Sequence, residues 1–186
     1  MRKQALALAS QDLLLASYFH ESISQHDRFD IALAYQVSSM LSSDVVPAIA
    51  LFELFSDCVK QDETIALSAI ADIEACYDRD PACSNYCQPF LYFKGFLSLQ
   101  AYRFAHHLWA RQRHCLARYL GMQASKVFDV DIHPAAVLGK GIMLDHATGI
   151  VIGETAKIGD NVSLLHGVTL GGSGNQSGQR HPTVED

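Results

Sequence analysis

The chain has 186 residues, 49% of them hydrophobic, and a formal charge of −6. That length suits one large domain or two small ones. The acidic balance, with a pI near 5.8, argues against nucleic acid or an anionic membrane as partner, since both need clustered Lys and Arg.

Five cysteines (Cys58, Cys76, Cys83, Cys87 and Cys115) make an odd set without zinc-ligand pairing. They read as reduced thiols of a cytoplasmic protein that holds no metal. The first residues, MRKQALALASQDLLLASYF, superficially resemble a secretory signal. Asp12 interrupts the apolar core, however, and no small-residue cleavage site follows, so the stretch reads as an amphipathic helix. No apolar run approaches the roughly 18 residues that span a bilayer. After Ser42-Ser43-Asp44 comes a segment apolar nearly all round, with Pro47 in its expected first turn. A helix of that kind is buried between others or lies at a subunit contact. Asp62 is the expected N-cap of a helix whose apolar stripe is Ala66, Ile70 and Ile73. Asp80-Pro81 and Ser84-Asn85 mark a loop. A long helical segment follows from near Pro89 to Leu120, with Leu97, Ala101, Phe104 and Leu108 as its stripe. His106, His107 and His114 fall in it as surface or interface residues. Residues 1–125 therefore read as a helical domain, and no Pro-rich linker separates it from the rest.

From about Val130 the period changes to six: Ile132, Leu138, Leu144, Ile150, Ala156, Val162 and Val168. A six-residue beat fits neither an α-helix nor a simple alternating strand, and marks a hexapeptide parallel β-helix. Three hexapeptides per turn would stack equivalent positions of successive turns at roughly the 4.8 Å strand spacing. Residues 126–186 thus form a second domain, and the whole is an α+β fold. The third turn is interrupted by the Gly-rich loop 171–182, and Thr183–Asp186 supplies neither a full turn nor a cap. The sequence reads as cut short.

Asp145-His146 is out of place among the small and aliphatic residues of a β-helix. A neutral imidazole can take a proton from an alcohol near pH 7 if a carboxylate fixes its tautomer. Asp131 would lie one turn below His146 and three positions off vertical, which permits such a pair. The same His146 could equally cap a corner by hydrogen bonding. Arg180 leaves the Gly-rich loop, where a guanidinium would fork a small carboxylate or simply be solvated. His166 should sit near His146 one turn up, touching ligand or merely stacking. Gly171–Gly178 lacks the Gly-Lys-Ser/Thr ending of a phosphate loop.

Several strings together resemble serine O-acetyltransferase. They are Asp131-Ile-His-Pro-Ala-Ala136, Gly141-Ile-Met-Leu-Asp-His146-Ala-Thr-Gly149, Gly153-Glu-Thr-Ala156, Val168-Thr-Leu-Gly-Gly172 and Arg180-His-Pro182. The helical half agrees through Arg79-Asp80-Pro81, Tyr92-Phe-Lys-Gly-Phe96, Gln100-Ala-Tyr-Arg103 and His107-Leu-Trp109. The resemblance implies a left-handed β-helix, incomplete here, and acetyl transfer from acetyl-CoA to the hydroxyl of L-serine, giving O-acetylserine for cysteine synthesis. It implies His146 as general base oriented by Asp131, Asp80 and Asp145 on the ammonium, and Arg180 and His181 on the carboxylate. Thr169 and Gly171 would border an acetyl-CoA groove that is largely missing. Acetyl-CoA is then a co-substrate, with no permanently bound cofactor.

The resemblance further implies trimers paired into hexamers, sites between subunits, inhibition by cysteine, and a tail, absent here, that docks into O-acetylserine sulfhydrylase. Weak or absent turnover is the expectation for this chain alone. The competing readings are a sugar-directed hexapeptide acyltransferase, a zinc carbonic anhydrase using His146, His166 and His181, and an inactive subunit that keeps only the helical interface.

Overall fold

The computed structural model describes residues 1–172, 174 and 177–185. Helix α1 spans Arg2–Gln11 and ends at Asp12, whose carboxylate accepts from the Leu14 amide to cap a 3₁₀ turn at Leu13–Leu15. Helix α2 (Ala16–Phe19) runs into a π turn at His20–Ser24. Then come α3 (Phe29–Leu41), α4 (Ala48–Gln61, with Pro47 as N-cap), α5 (Thr64–Arg79), α6 (Cys87–Tyr92), α7 (Lys94–Ala110) and α8 (His114–Phe128).

Several expectations change. The Pro89–Leu120 segment is not one helix: it breaks at Phe93, which is extended, and again at Gln112, whose φ is +62°. The buried face of α5 is Ile65, Ala69, Asp72, Ile73 and Cys76, while Ile70 stays 40% exposed. The reason is Asp72. It lies in the middle of the buried face and meets Arg103 of α7, which rotates the helix away from the purely apolar stripe. The N-cap of α5 is Glu63, one residue later than expected, although Asp62 accepts from the Thr64 amide at 3.1 Å.

Helix α7 is the axis of the helical half, buried on nearly every side, with Phe104 stacked on Phe55 at a centroid distance of 4.2 Å. His107 is a core residue rather than a surface one. It is 4% exposed, and its Nδ1 lies 3.2 Å from an Asp62 oxygen.

One residue, Asp129 in the left-handed conformation, joins α8 to the strands. These are β1 (Val130–Ile132), β2 (Val137–Leu138), β3 (Met143–Asp145), β4 (Ile150–Ile152), β5 (Lys157–Ile158), β6 (Ser163–Leu165), β7 (Thr169–Leu170) and β8 (Thr183–Val184). They pair in parallel as β1-β4-β7, β2-β5-β8 and β3-β6, the three faces of a left-handed β-helix. Each hexapeptide buries two side chains two apart, such as Val130 and Ile132, Ile142 and Leu144, or Ile150 and Ile152.

The stacking is not uniform. Val130, Val137 and Met143 lie beneath Ile150, Lys157 and Ser163, so each of these steps is two residues longer than three hexapeptides. Val151 beneath Thr169 keeps the regular three-hexapeptide step. The two extra residues fall in the corner 146–149, which has four residues where the corner above it has two. His146 (φ +53°), Ala147 (+59°) and Gly149 (+73°) are all left-handed there, a region that non-glycine residues seldom occupy.

The two halves share one apolar core. Tyr102 Oη donates to the Ala136 carbonyl at 2.6 Å, and Arg79 Nη1 donates to the Gly141 carbonyl at 3.1 Å. Gly95 at the start of α7 presses on β3, where an added Cβ would collide with the Leu144 carbonyl.

Candidate active site

Where the two halves meet, they leave a cleft of about 460 Å³. Asp80 enters it from the end of α5, Lys94 and Gly95 from the start of α7, Asp145 from the end of β3, and His146 from the corner that follows. Asp80 sits on an Asp-Pro turn held by the Ala82 amide, which donates to Oδ1 at 2.8 Å. The His146 side chain is 79% exposed, with Nε2 4.0 Å from Asp145 Oδ1, an ion-pair distance rather than a hydrogen bond. His166 stands edge-on to it at 6.1 Å between ring centroids, as their separation along the chain suggested. Two carboxylates, an imidazole and an ammonium thus line one wall-to-wall space. It suits a small molecule that carries its own positive charge and a hydroxyl. Cys76 also lines it, but burial pushes its thiol up to about 12, which leaves it protonated and a poor nucleophile.

The other expected residues stand elsewhere. Asp131 lies under Val151 instead of under Gly149, because the turn is two residues longer than three hexapeptides, and this sets it five positions off vertical from His146. No hydrogen bond among the described residues joins the two. Asp131 lines a separate groove with Arg118, Lys126 and His133. Thr169 continues its column, one turn above Val151, and Gly171 follows just beyond β7.

Arg180 and His181 occupy a different corner, above Gly153–Ala156. Arg180 Nη2 donates to Glu154 Oε2 at 2.5 Å, and this bond holds the Glu154 carboxyl below its ordinary 4.5. Thr155 organises His181 from below. Its Oγ accepts from the Arg180 and His181 amides at 3.0 and 3.1 Å, and its own amide donates to His181 Nδ1 at 3.2 Å. A backbone donor on Nδ1 leaves the ring proton on Nε2. The Nε2 edge of the ring packs against Gly153 and Gly172. Gly153 makes room for the ring, since any Cβ there would strike it.

Apolar counting along the chain passes over Cys76 and Lys94. Cys76 was detectable as the residue one helical turn before Asp80 on the same face, whereas Lys94 stood only within the Tyr92–Phe96 string, with no role attached.

Residues 1–101 match the family described as the N-terminal region of serine acetyltransferase. The whole chain is 48% identical to serine acetyltransferase of Salmonella typhimurium and spans 68% of that protein. Its fold is similar to that of a Neisseria gonorrhoeae serine acetyltransferase crystallised in complex with serine. There the TM-score is 0.97 and the identity 48%, covering 100% of this chain and 76% of that one. A serine acetyltransferase in complex with CoA is similar as well, with a TM-score of 0.94 and 46% identity, covering 98% of this chain and 76% of that one.

Proposed function

The chain belongs to the serine acetyltransferase family, and we propose that it transfers the acetyl group of acetyl-CoA to the hydroxyl of L-serine, yielding O-acetyl-L-serine. The observation that carries this reading is the convergence of Asp80, Asp145 and His146 on one cleft from two different domains. Asp80 and Asp145 bracket the serine ammonium. His146 accepts the hydroxyl proton as the oxygen attacks the thioester carbonyl; the C–S bond then breaks, and the CoA thiolate recovers the proton from His146. The sugar-directed and carbonic anhydrase readings lose their support once the family is assigned.

Arg180 and His181 are assigned to the serine carboxylate. Inside one chain they are separated from His146 by the face β1-β4-β7. At about 3.3 Å per residue, six residues span roughly 20 Å, too far for one amino acid to bridge. We therefore propose a homo-oligomer in which the Arg180 corner of one copy faces the His146 corner of another. Asp131 and Thr169 then lie on the face between, exposed toward that neighbour, where Asp131 orients an imidazole and Thr169 and Gly171 border the acetyl-CoA groove. Acetyl-CoA is a co-substrate in this scheme and no resident cofactor takes part. No helix among the described residues is long and apolar enough to cross a membrane, and a cytoplasmic location is part of the proposed reading.

Thiol release from acetyl-CoA, followed with and without L-serine, tests the reading. Serine-dependent release that falls by about 10²–10⁴ in His146→Ala is the expected result. Release that ignores serine, or that survives the substitution, overturns it.

A further inference from the structure

We propose that Asp72 and Arg103 position the serine site: the buried carboxylate of Asp72 sets where Asp80 stands relative to Asp145 and His146. The proposal rests on the reading of the cleft as a serine site.

Asp72 is 0% exposed. Its Oδ2 accepts from Arg103 Nε at 2.9 Å, Arg103 Nη2 at 2.7 Å and Gln100 Nε2 at 3.0 Å. Its Oδ1 accepts from the Ile142 amide at 2.9 Å, and Arg103 Nη2 goes on to donate to the Gly139 carbonyl, also at 2.9 Å.

These bonds do not stay within one domain. Asp72 belongs to α5, which ends eight residues later at Asp80, roughly 12 Å along a helix rising about 1.5 Å per residue. Arg103 and Gln100 belong to α7, whose first turn supplies Lys94 and Gly95 to the cleft. Ile142 comes directly before β3, which delivers Asp145 and then His146. One carboxylate therefore ties together all three elements that carry the cleft's charged groups. Asp72 itself does not line the cleft.

A buried ion pair is weak evidence for added stability, because apolar residues of equal volume often do as well. What such a pair does supply is geometry. An Arg–carboxylate fork holds two elements in a fixed relation that apolar packing leaves looser. The two halves of the serine site come from separate domains with a single residue, Asp129, between them. A fork at their contact fixes Asp80 against Asp145 where side chains packed by volume alone would tolerate a slide.

The test is direct binding of L-serine and of CoA, by calorimetry, to the wild-type chain and two variants. Arg103→Lys keeps the charge and loses the fork. The double variant Asp72→Asn/Arg103→Gln removes both charges together and leaves no unpaired ion in the core. Both are expected to fold and keep the wild-type oligomeric state. Serine affinity should fall about tenfold in each, with CoA affinity within twofold of wild type. Unchanged serine affinity in both variants overturns the proposal, even if they melt at lower temperature. Equal losses for serine and CoA overturn it too, since they would mark general loosening. A wild-type chain that binds no serine would instead sink the serine reading on which the proposal stands.

Discussion

The two corners that carry the proposed serine contacts are built in opposite ways. The His146 corner is an irregularity: two added residues, three left-handed conformations, and a wall contributed by α5 and α7. The Arg180–His181 corner is made within the β-helix, with Glu154 and Thr155 of the turn below holding both side chains. The first corner draws its geometry from the contact between domains, and the second from the repeat itself. Changes to the repeat should therefore act selectively on one corner or the other.

The sharpest break is deletion of Ala147 and Thr148. The remaining corner would match the two-residue corner above it, and the step from the first turn to the second would become the regular three hexapeptides. The apolar beat would survive, so circular dichroism should show a folded protein. His146 would leave the cleft, and serine-dependent thiol release should fall at least as far as in His146→Ala, by about 10²–10⁴. A deletion variant that stays active would mean the insertion does not present the base.

That insertion also explains what could and could not be read from the chain. Each hexapeptide buries two positions two apart, and the insertion is two residues long. The beat therefore passes from one inward position to the other without a missed step: Ile132, Leu138 and Leu144 fill the second, Ile150, Ala156 and Val162 the first. Period alone reveals a β-helix and conceals the extra residues. Hence the β-helix was legible, while the regular three-hexapeptide spacing used to place Asp131 under Gly149 was off by two. Asp80, Asp145 and His146 were legible through resemblance, and the cleft gathers them. Face assignment failed on α5 for another reason: counting apolar residues gives no weight to a buried Asp72 whose partner lies 31 residues away. Nor does linear sequence tell how the corners are arranged in space, so the separation of Arg180 from His146 had to come from the fold.

A milder test acts on the second corner. Thr155→Val keeps the shape and removes the hydroxyl that accepts from two amides and donates toward His181 Nδ1. Losing hydrogen bonds of this kind costs about 1–1.5 kcal/mol, so serine affinity should drop roughly tenfold with CoA affinity little changed. Nitrogen-15 shifts of the His181 ring should also show a mixture of tautomers in place of the Nε2–H form alone. A single Nε2–H form in the variant would show that the Thr155 amide suffices.

The smallest effect separates the two halves by pH. Burial holds His107 below its ordinary 6.5, although the bond to Asp62 pulls the other way. Its folded value lies below its unfolded one, so the unfolded chain binds the proton more readily. The stability this represents is full above about pH 6.5 and is lost as pH falls toward the folded value. Glu154 works in a lower window. Arg180 holds it below 4.5, so its contribution is present above that value and disappears as pH falls through the folded one. Between pH 7.5 and 5.5 the helical half should weaken while the Arg180 corner stays intact. For a chain of this size about 1 kcal/mol shifts the melting temperature by about 2–4 °C. A decline in melting temperature over that range is thus expected, and it should flatten in His107→Asn, which keeps a donor for Asp62 but cannot titrate. The slope is the measurement that counts, because the substitution alone lowers the midpoint at every pH. An unchanged slope would place the acid sensitivity in some other group, with His133, also lowered by burial, the next to replace.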